Sequence, residues 1–228
     1  MEKDKKIAIM QPYFYPYIGY FQLIHAVDVY VNLDHVSFMP RSYMTRNTVK
    51  NNISINVPVA NASQNKKCNE VRVSLDEHHI SKFYKTLHHQ YSKSINYELV
   101  MESLVKPCFT IEEKSISQFN IDLIKKICNF LDIKTKIIDS SCVFQNLDLK
   151  KEHGLVSIVQ QLGSNTYINA IGGQKLYSKD FFHSQGINLF FLKMNDLDVP
   201  SQYASILDSL FLLHPDQVKE QLAKYTLI

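Results

Sequence analysis

The candidate catalytic and binding residues come directly after short apolar runs. Gln11, Pro16 and Gly19 follow the run at residues 7–10, before a segment with amphipathic spacing. Proline stiffens a loop and glycine lets the backbone approach a ligand or another element closely. Free amides at the start of the following helix favour anions, and ligands of α/β proteins bind beyond the carboxyl ends of strands. The segment is a candidate binding loop, with a purely structural turn as the alternative.

An acid and two arginines follow the second apolar run. Asp34 ends that run in VNLDHVSF, where a carboxylate could position a ribose, a substrate amine or a metal. A turn or cap is the commoner role of aspartate. Arg46 and Asn47 lie in PRSYMTRNTVK, which also contains Arg41. The planar fork of arginine binds carboxylates and phosphates, so this concentration indicates an anion site, with surface charge on a solvated hairpin as the alternative.

Two later segments also carry candidates. Gly172 and Gly173 come between the apolar run TYIN and a predicted helix. Their spacing matches neither a Walker motif nor a dinucleotide fingerprint, so ATP and Mg²⁺ stay open as cofactors without a nucleotide motif to support them. Ser205 and Asp208 stand three apart at a predicted helix start, a pattern typical of a cap with a favourable dipole charge, or of a site.

The histidines and cysteines do not form a metal motif. Two histidine pairs, at 78–79 and 88–89, lie ten residues apart, about three turns of helix, which is too far to share one ion. The four cysteines form no C-x-x-C pair and no zinc spacing, so we expect reduced, partly buried thiols and no metal site. A nucleophilic cysteine would need a base partner that the sequence does not place.

Composition sets the class of protein. The chain has 228 residues, 45% hydrophobic and 21% charged, which suits one large globular α/β domain. The net charge of +3 is too small to argue for a nucleic acid or a membrane surface. There is no secretory h-region and no apolar run long enough to span a bilayer. We therefore expect a cytoplasmic protein with no membrane span and no nucleic-acid binding.

The elements that must position these residues alternate along the chain. A βαβ unit opens it, and a β-hairpin excursion follows in the segment that contains Asn51 and Asn52. Ser115 is a plausible helix cap, and Gly163 a helix end. The pattern predicts a single domain over 1–228, a three-layer Rossmann-like α/β fold with a mainly parallel sheet and a helical insertion at about 77–130. The predicted strands are 6–10, 28–33, 70–74, 134–138, 166–169 and 187–192, and the later helices 150–162, 178–185, 203–212 and 215–224.

Five segments together resemble the WbqC-like protein family over residues 7–212. They are QPYFYPYIGYFQLI, DVYVNLDHVSF, RSYMTRN, GSNTYINAIGG and SILDSLF. Members of that family are found among genes for bacterial surface polysaccharides, notably O antigens with modified amino sugars. The resemblance therefore implies a role in making or decorating an amino sugar.

A second resemblance concerns the first 38 residues, which are similar to the opening of nucleotidyltransferase-like α/β enzymes, particularly pantothenate synthetase. Both histidines of that signature are absent, and Tyr17 or Ile18 and Tyr20 stand in their places. Those histidines stabilise phosphate charge during adenylation, so the resemblance supports the fold more than the reaction.

These resemblances imply two functions. One is a transferase or ligase forming an amide between an acyl or aminoacyl donor and the amine of a nucleotide-linked amino sugar. Amide formation needs a deprotonated amine and a stabilised oxyanion, for which the catalytic candidates are Asp34, Gln11 and Asn47. The other is a non-catalytic binding or partner protein of the same pathway. Oligomeric state is a separate question, and a homodimer is an open alternative. The candidate substrate-binding residues are Arg46, Tyr13, Pro16, Gly19, Tyr43, Tyr167, Gly172, Gly173, Ser205 and Asp208.

Overall fold

The computed structural model describes residues 4–146 and 152–228. In chain order its strands are β1 (Lys6–Met10), β2 (Val29–Asn32), β3 (Arg46–Val49), β4 (Ile53–Asn56), β5 (Val59–Ala60), β6 (Arg72–Val73), β7 (Lys136–Ile138), β8 (Thr166–Ala170), β9 (Asn188–Met194) and β10 (Tyr225–Leu227). Its α-helices are α1 (Ile18–His25), α2 (Glu77–Tyr91), α3 (Tyr97–Val100), α4 (Ile116–Phe130), α5 (Glu152–Gln161), α6 (Lys179–Ser184), α7 (Ile206–Leu212) and α8 (Pro215–Gln221).

The central sheet has the order β10-β9-β8-β1-β2-β7. Every neighbouring pair is parallel except β9 and β10, so the predicted α/β fold with a mainly parallel sheet is confirmed. The chain runs from β1 to β2 and β7 on one side, then returns across β1 to β8 and β9 on the other. The strand order therefore reverses between β1 and β8, which is where open α/β sheets bind ligands.

Helices cover both faces of the sheet. Along β1, Ile7 and Ile9 point into one apolar cluster and Ala8 into the other, as the period-two pleat requires. The first cluster contains α5 and α6, with Phe182 fully buried. The second contains α1, α4, α7 and α8, with Phe21 fully buried. The result is the three-layer arrangement that the sequence predicts.

Two excursions separate β2 from β7. Strands β3 and β4 form the predicted hairpin, whose turn holds Asn51 and Asn52 at φ 61° and 57°, the left-handed region that asparagine tolerates. The segment predicted as a helical insertion contains α2, α3 and α4. Of these, α4 is the crossover helix between β2 and β7 and packs on the sheet, where Asn32 donates to Ser117 at 2.9 Å.

Several predicted boundaries differ from the structure by two or more residues. The predicted helix 215–224 ends at Gln221, and β10 follows as an antiparallel edge strand. The predicted strand 70–74 shortens to β6, which pairs only with β5. Helix 150–162 begins partly outside the described residues, since residues 147–151 are not described. No helix within the two described ranges is long and apolar enough to cross a membrane.

Candidate functional site

A cavity of about 520 Å³ opens at the carboxyl ends of β1 and β8, at the point where the strand order reverses. Strand β1 contributes Met10 and the following Gln11, and β8 contributes Asn169 and Ala170. Leu33, directly after β2, completes the floor. The position of the cavity follows from the topology of the sheet. The connections that follow β1 and β8 run to opposite faces of the sheet, so the loops at these two strand ends separate and leave a crevice between them.

Tyrosine rings form the walls of the cavity. Tyr13 lies 5.7 Å from Tyr43, and Tyr17 lies 6.3 Å from Tyr203, measured between ring centroids. Tyr177 adds a fifth ring. Tyr43 and Tyr203 are exposed at the rim, whereas Tyr13 and Tyr17 are half-buried. Such walls offer flat apolar faces together with phenolic hydroxyls, which suits a ligand with both apolar and hydroxylated surfaces.

The cavity is electrically neutral. Among the described residues that line it there is no Asp, Glu, Lys, Arg or His. Burial raises the pKa of Tyr13 and Tyr177, and raises the pKa of Tyr17 to about 12. These phenols therefore stay protonated at neutral pH and can donate hydrogen bonds. The remaining polar lining consists of the side-chain amides of Gln11, Asn47 and Asn169.

Buried asparagines hold the proline-rich loop that forms one wall. Asn47 Nδ2 donates to the carbonyl oxygens of residues 14–15, at 3.2 and 2.8 Å. Asn120 Nδ2, on α4, donates to the carbonyls of Pro12 and Met44 at 3.0 and 2.8 Å. Since a buried carbonyl without a partner costs free energy, these amides determine the path of the loop.

Tyr15 lies at the apex of this loop in a backbone region that favours glycine. Its φ is 39°, and its hydroxyl donates to the carbonyl oxygen of Leu104 at 3.0 Å. A non-glycine residue in this region is strained, and it keeps this conformation only where its surroundings hold it there. The loop is therefore held in one conformation by contacts on the side away from the cavity.

The cavity brings together seven of the residues predicted from the sequence. All seven line its surface, including the two glycines of a 3₁₀ turn that follows β8. They are Gln11, Tyr13, Pro16, Tyr43, Asn47, Gly172 and Gly173. The other six candidates lie elsewhere.

Two of these six residues lie outside the cavity but contact residues that line it. Tyr167 is fully buried in β8, and its hydroxyl accepts a hydrogen bond at 3.0 Å from Asn169, a lining residue. Gly19 lies in α1, where an added Cβ would be 2.5 Å from Met194 Sδ and from the ring of Tyr17. The glycine at position 19 therefore allows α1 to pack closely on the end of β9.

Asp34 and Arg46 lie outside the cavity. The Asp34 carboxylate is buried and accepts hydrogen bonds from the backbone and the hydroxyl of Ser141, at 2.9 and 2.8 Å. Arg46 is exposed on the hairpin, beside a separate shallow groove that also contains Arg41. The structure thus separates the acid and the arginines from the amides and tyrosines.

Ser205 and Asp208 belong to the first turn of α7. Ser205 caps the helix by accepting from the Leu207 amide at 3.3 Å. Asp208 is buried and accepts from the Lys50 amide at 2.7 Å and from the Tyr91 hydroxyl. Burial raises the pKa of Asp208 to about 6, the largest opposing effect being the hydrogen bond from Lys50. Both residues join elements of the fold in the structure.

Sequence reasoning missed part of the cavity wall. Tyr17, Tyr177 and Tyr203 were not singled out as binding residues, although the tyrosine-rich first loop was a signal for Tyr17. Tyr203 belongs to an irregular segment that returns to the cavity, where the Ile206 amide donates to the carbonyl of Pro16 at 2.9 Å. Such a return is invisible in local sequence.

Within residues 4–146 and 152–228, no three or more His, Cys, Asp and Glu side chains are arranged to hold a metal ion. A cofactor with an aromatic ring could stack on the tyrosine walls. Helix α1 begins at the cavity edge with Tyr17 as its N-cap, and the Tyr17 side chain makes no capping hydrogen bond.

The fold and this cavity define a doubly wound α/β protein with a candidate ligand site at its switch point. The WbqC-like protein family model matches residues 11–220, so the chain belongs to the WbqC-like protein family, which confirms the sequence resemblance. An uncharacterized protein of Mycobacterium tuberculosis (strain ATCC 25618 / H37Rv) is 25% identical over 189 residues, which cover 81% of this chain and 80% of that protein. No solved structure matches the chain.

Proposed function

We propose that this protein binds a nucleotide-linked amino sugar in the cavity and forms an amide between its amine and an acyl or aminoacyl donor. The step would belong to the biosynthesis of a bacterial surface polysaccharide such as an O antigen. The observation that carries the proposal is the neutral, tyrosine-walled cavity at the switch point of the sheet.

The lining matches the chemistry of a sugar. A pyranose ring has apolar C–H faces that pack on aromatic rings, and hydroxyls that hydrogen-bond to amides and phenols. Tyr13, Tyr17 and Tyr203 offer the rings, and Gln11 and Asn169 offer the amides. Because no cation lies among the lining residues that the structure describes, we place the diphosphate and nucleoside outside the cavity mouth.

The neutral cavity also suits the amine. Nucleophilic attack requires the uncharged amine, and burying an ammonium without a paired charge is costly. An apolar site therefore favours the reactive form of the substrate. In this proposal the side-chain amide of Gln11, which lines the cavity, donates a hydrogen bond to the oxyanion. For Asp34 to act as the base, its carboxylate would have to exchange the hydrogen bonds from Ser141 for the substrate amine.

A non-catalytic binding protein of the same pathway is the second candidate. The observation that favours it is the same neutral lining, since a general acid or base titrating near neutral pH is missing from the described lining residues. Turnover of substrate separates the two candidates, whereas binding is common to both.

The first experiment is a thermal-shift and calorimetric series with a nucleotide-linked amino sugar, the same nucleotide sugar with a hydroxyl in place of the amine, and the nucleoside diphosphate alone. Ligands that bind only the folded state raise Tm in proportion to the logarithm of concentration over Kd. We expect the amino sugar to give the largest rise. Tyr203→Ala should weaken its binding by about fivefold, because loss of one stacked ring is worth about 1 kcal/mol.

Ile111→Ala is the matched control for Tyr203→Ala. Both side chains are largely exposed, at 62% and 72%, and only Tyr203 lines the cavity. Equal binding by both variants, or equal response to all three ligands, would contradict the proposal.

Mass spectrometry of the sugar after incubation with acyl and aminoacyl donors, with and without ATP and Mg²⁺, then distinguishes an enzyme from a binding protein. A cytoplasmic location and a homodimer stay predictions.

A further inference from the structure

A second cluster of reactive side chains lies in the loops after β2 and β7, at the same edge of the sheet as the cavity. These strands are parallel neighbours, so the segments that follow them meet at the same edge of the sheet. Asp34 and His35 follow β2, and Cys142 lies in a 3₁₀ turn after β7. Cys142 is exposed, whereas the other three cysteines are buried.

Polar groups surround the Cys142 sulfur. His35 Nδ1 lies 3.9 Å from Sγ, within reach of the thiol proton. Asn69 Nδ2 donates to Sγ at 3.2 Å, and such a bond favours a sulfur that carries negative charge. The Asp34 carboxylate lies 3.9 Å away on another side. A thiol with a neighbouring imidazole and an N–H donor has the composition of an activated nucleophile.

Ser141 fixes the geometry of this cluster. Its hydroxyl accepts from the backbone amides of Asp34 and His35, both at 3.2 Å, and donates to the Asp34 carboxylate at 2.8 Å. The hydroxyl therefore ties the two loops together. Lys67 Nζ contacts both ring nitrogens of His35 and lies 3.3 Å from Nδ1. Both the sulfur and the ring are thus held by contacts with neighbouring elements.

We propose that Cys142 is a nucleophile that takes an acyl group from a thioester donor, with His35 as its proton acceptor. The proposal rests on the proposed amide-forming function and adds the route of the acyl group. Its location supports this, because Asp34 is bonded directly to Leu33, a residue of the cavity floor. The lining of the cavity itself offers no such nucleophile in the part of the chain that the structure describes.

The reaction is an acyl transfer without change of oxidation state. His35 takes the thiol proton, and the Cys142 sulfur attacks the carbonyl carbon of the donor thioester. The carbon–sulfur bond of the donor breaks, and its thiolate leaves with the proton from His35. A substrate amine then attacks the new thioester, forming the amide and returning Cys142 as a thiol with the proton that the amine loses.

The first test measures the rate at which iodoacetamide alkylates Cys142, by peptide mass spectrometry over a range of pH. The reference is the same residue in the urea-unfolded chain, where the thiol is fully exposed and lacks its folded neighbours. We expect faster alkylation in the folded protein at neutral pH by about tenfold or more, lost in His35→Gln. His153→Gln, on α5, where the ring contacts Phe181, is the matched control and should leave the rate unchanged.

The second test incubates the protein with acetyl-coenzyme A, the probe thioester, and measures acylation by intact and peptide mass. We expect one acyl group on Cys142, none in Cys142→Ala, and slower capture in His35→Gln. Folding of both variants is checked by circular dichroism. Absence of the adduct in folded wild-type protein, acylation only at other residues, or a folded alkylation rate equal to that of the unfolded chain would overturn the assignment.

The two proposals fail independently. Protein that captures the acyl group but gives no thermal shift with a nucleotide sugar contradicts the proposed function and leaves the reactive thiol standing. Protein that binds the sugar but forms no thioester contradicts the role of Cys142 alone.

Discussion

At the scale of single residues, buried side-chain amides fix the positions of several backbone segments. Gln22, Asn47, Asn96 and Asn120 each donate to two backbone carbonyls of other segments. Asn47 and Asn120 pair with carbonyls of loops, and Gln22 and Asn96 pair with carbonyls at the carboxyl ends of α8 and α7, so that these carbonyls stay satisfied. Asn47 is of special interest because it both supports the proline-rich loop and lines the cavity.

We expect Asn47→Leu to lower the free energy of unfolding by about 1–3 kcal/mol, because it leaves two buried carbonyls without donors. Urea denaturation monitored by circular dichroism measures this. Arg46→Leu, at the adjoining exposed position, is the control and should stay within about 0.5 kcal/mol of the wild type. Similar losses in both variants would show that Asn47 does not hold the loop.

At the scale of elements, Asp208 joins three of them. Its carboxylate receives the amide of Lys50 at the end of β3 and the hydroxyl of Tyr91 at the end of α2, while its backbone lies in α7. Tyr91 in turn stacks on Phe211 with ring centroids 4.3 Å apart. Burial disfavours the charged carboxylate here, so the folded protein binds a proton more tightly than the unfolded chain does.

This raised pKa predicts a pH dependence of stability. The pKa of Asp208 is about 6 in the folded protein, against 3.8 for an unperturbed aspartate. The contribution is therefore fully present below the unfolded pKa and is lost as the pH rises through about 6. Between about pH 4.5 and pH 7.5 we expect the free energy of unfolding of Asp208→Asn to rise by about 2 kcal/mol relative to the wild type.

Urea denaturation of both proteins across this pH range checks the prediction. Asp180→Asn is the matched control, because Asp180 is also an acid in the first turn of a helix but is exposed. It should show no such trend. A constant difference between Asp208→Asn and the wild type at every pH would mean that the carboxylate is ionised equally in both states.

At the scale of the whole molecule, the sheet is completed by a strand from the end of the described chain. Strand β10 pairs antiparallel with β9, and Ile228 exchanges two backbone hydrogen bonds with Phe191 at 2.9 and 3.0 Å. Without β10, β9 would be an edge with unpaired backbone groups, which promotes association of sheets. Because β9 also contacts α1 through Met194, the effect would reach the helix beside the cavity.

Removing residues 225–228 should therefore lower Tm by several degrees, since even 1–2 kcal/mol amounts to roughly 2–8 °C in a protein of this size. It should also increase light scattering at high concentration. Thr226→Val, at an exposed position of β10, keeps the backbone ladder and serves as the control. An unchanged Tm on truncation would mean that β10 contributes little to the fold.

Much of the fold was predictable from the sequence because it depends on local patterns. Ser115 caps α4 as predicted, accepting from the Gln118 amide at 3.1 Å. Gly163, predicted at a helix end, adopts a φ of 66°. Periodicity and capping act within a few residues, so they can be seen in the chain itself. Strand β10 was missed because three residues carry almost no periodic signal, and only pairing with β9 makes them a strand.

Local patterns in the sequence specify the fold class and the hairpin, and they predict the first loop as a candidate site. Which polar residues share the cavity depends on tertiary packing. Gln11 and Asn169 meet because parallel pairing places the ends of β1 and β8 side by side. Asp34 follows a strand of the same edge, yet its carboxylate turns to Ser141 and joins Cys142. Side-chain direction depends on packing against distant segments, and no local pattern in the chain records it.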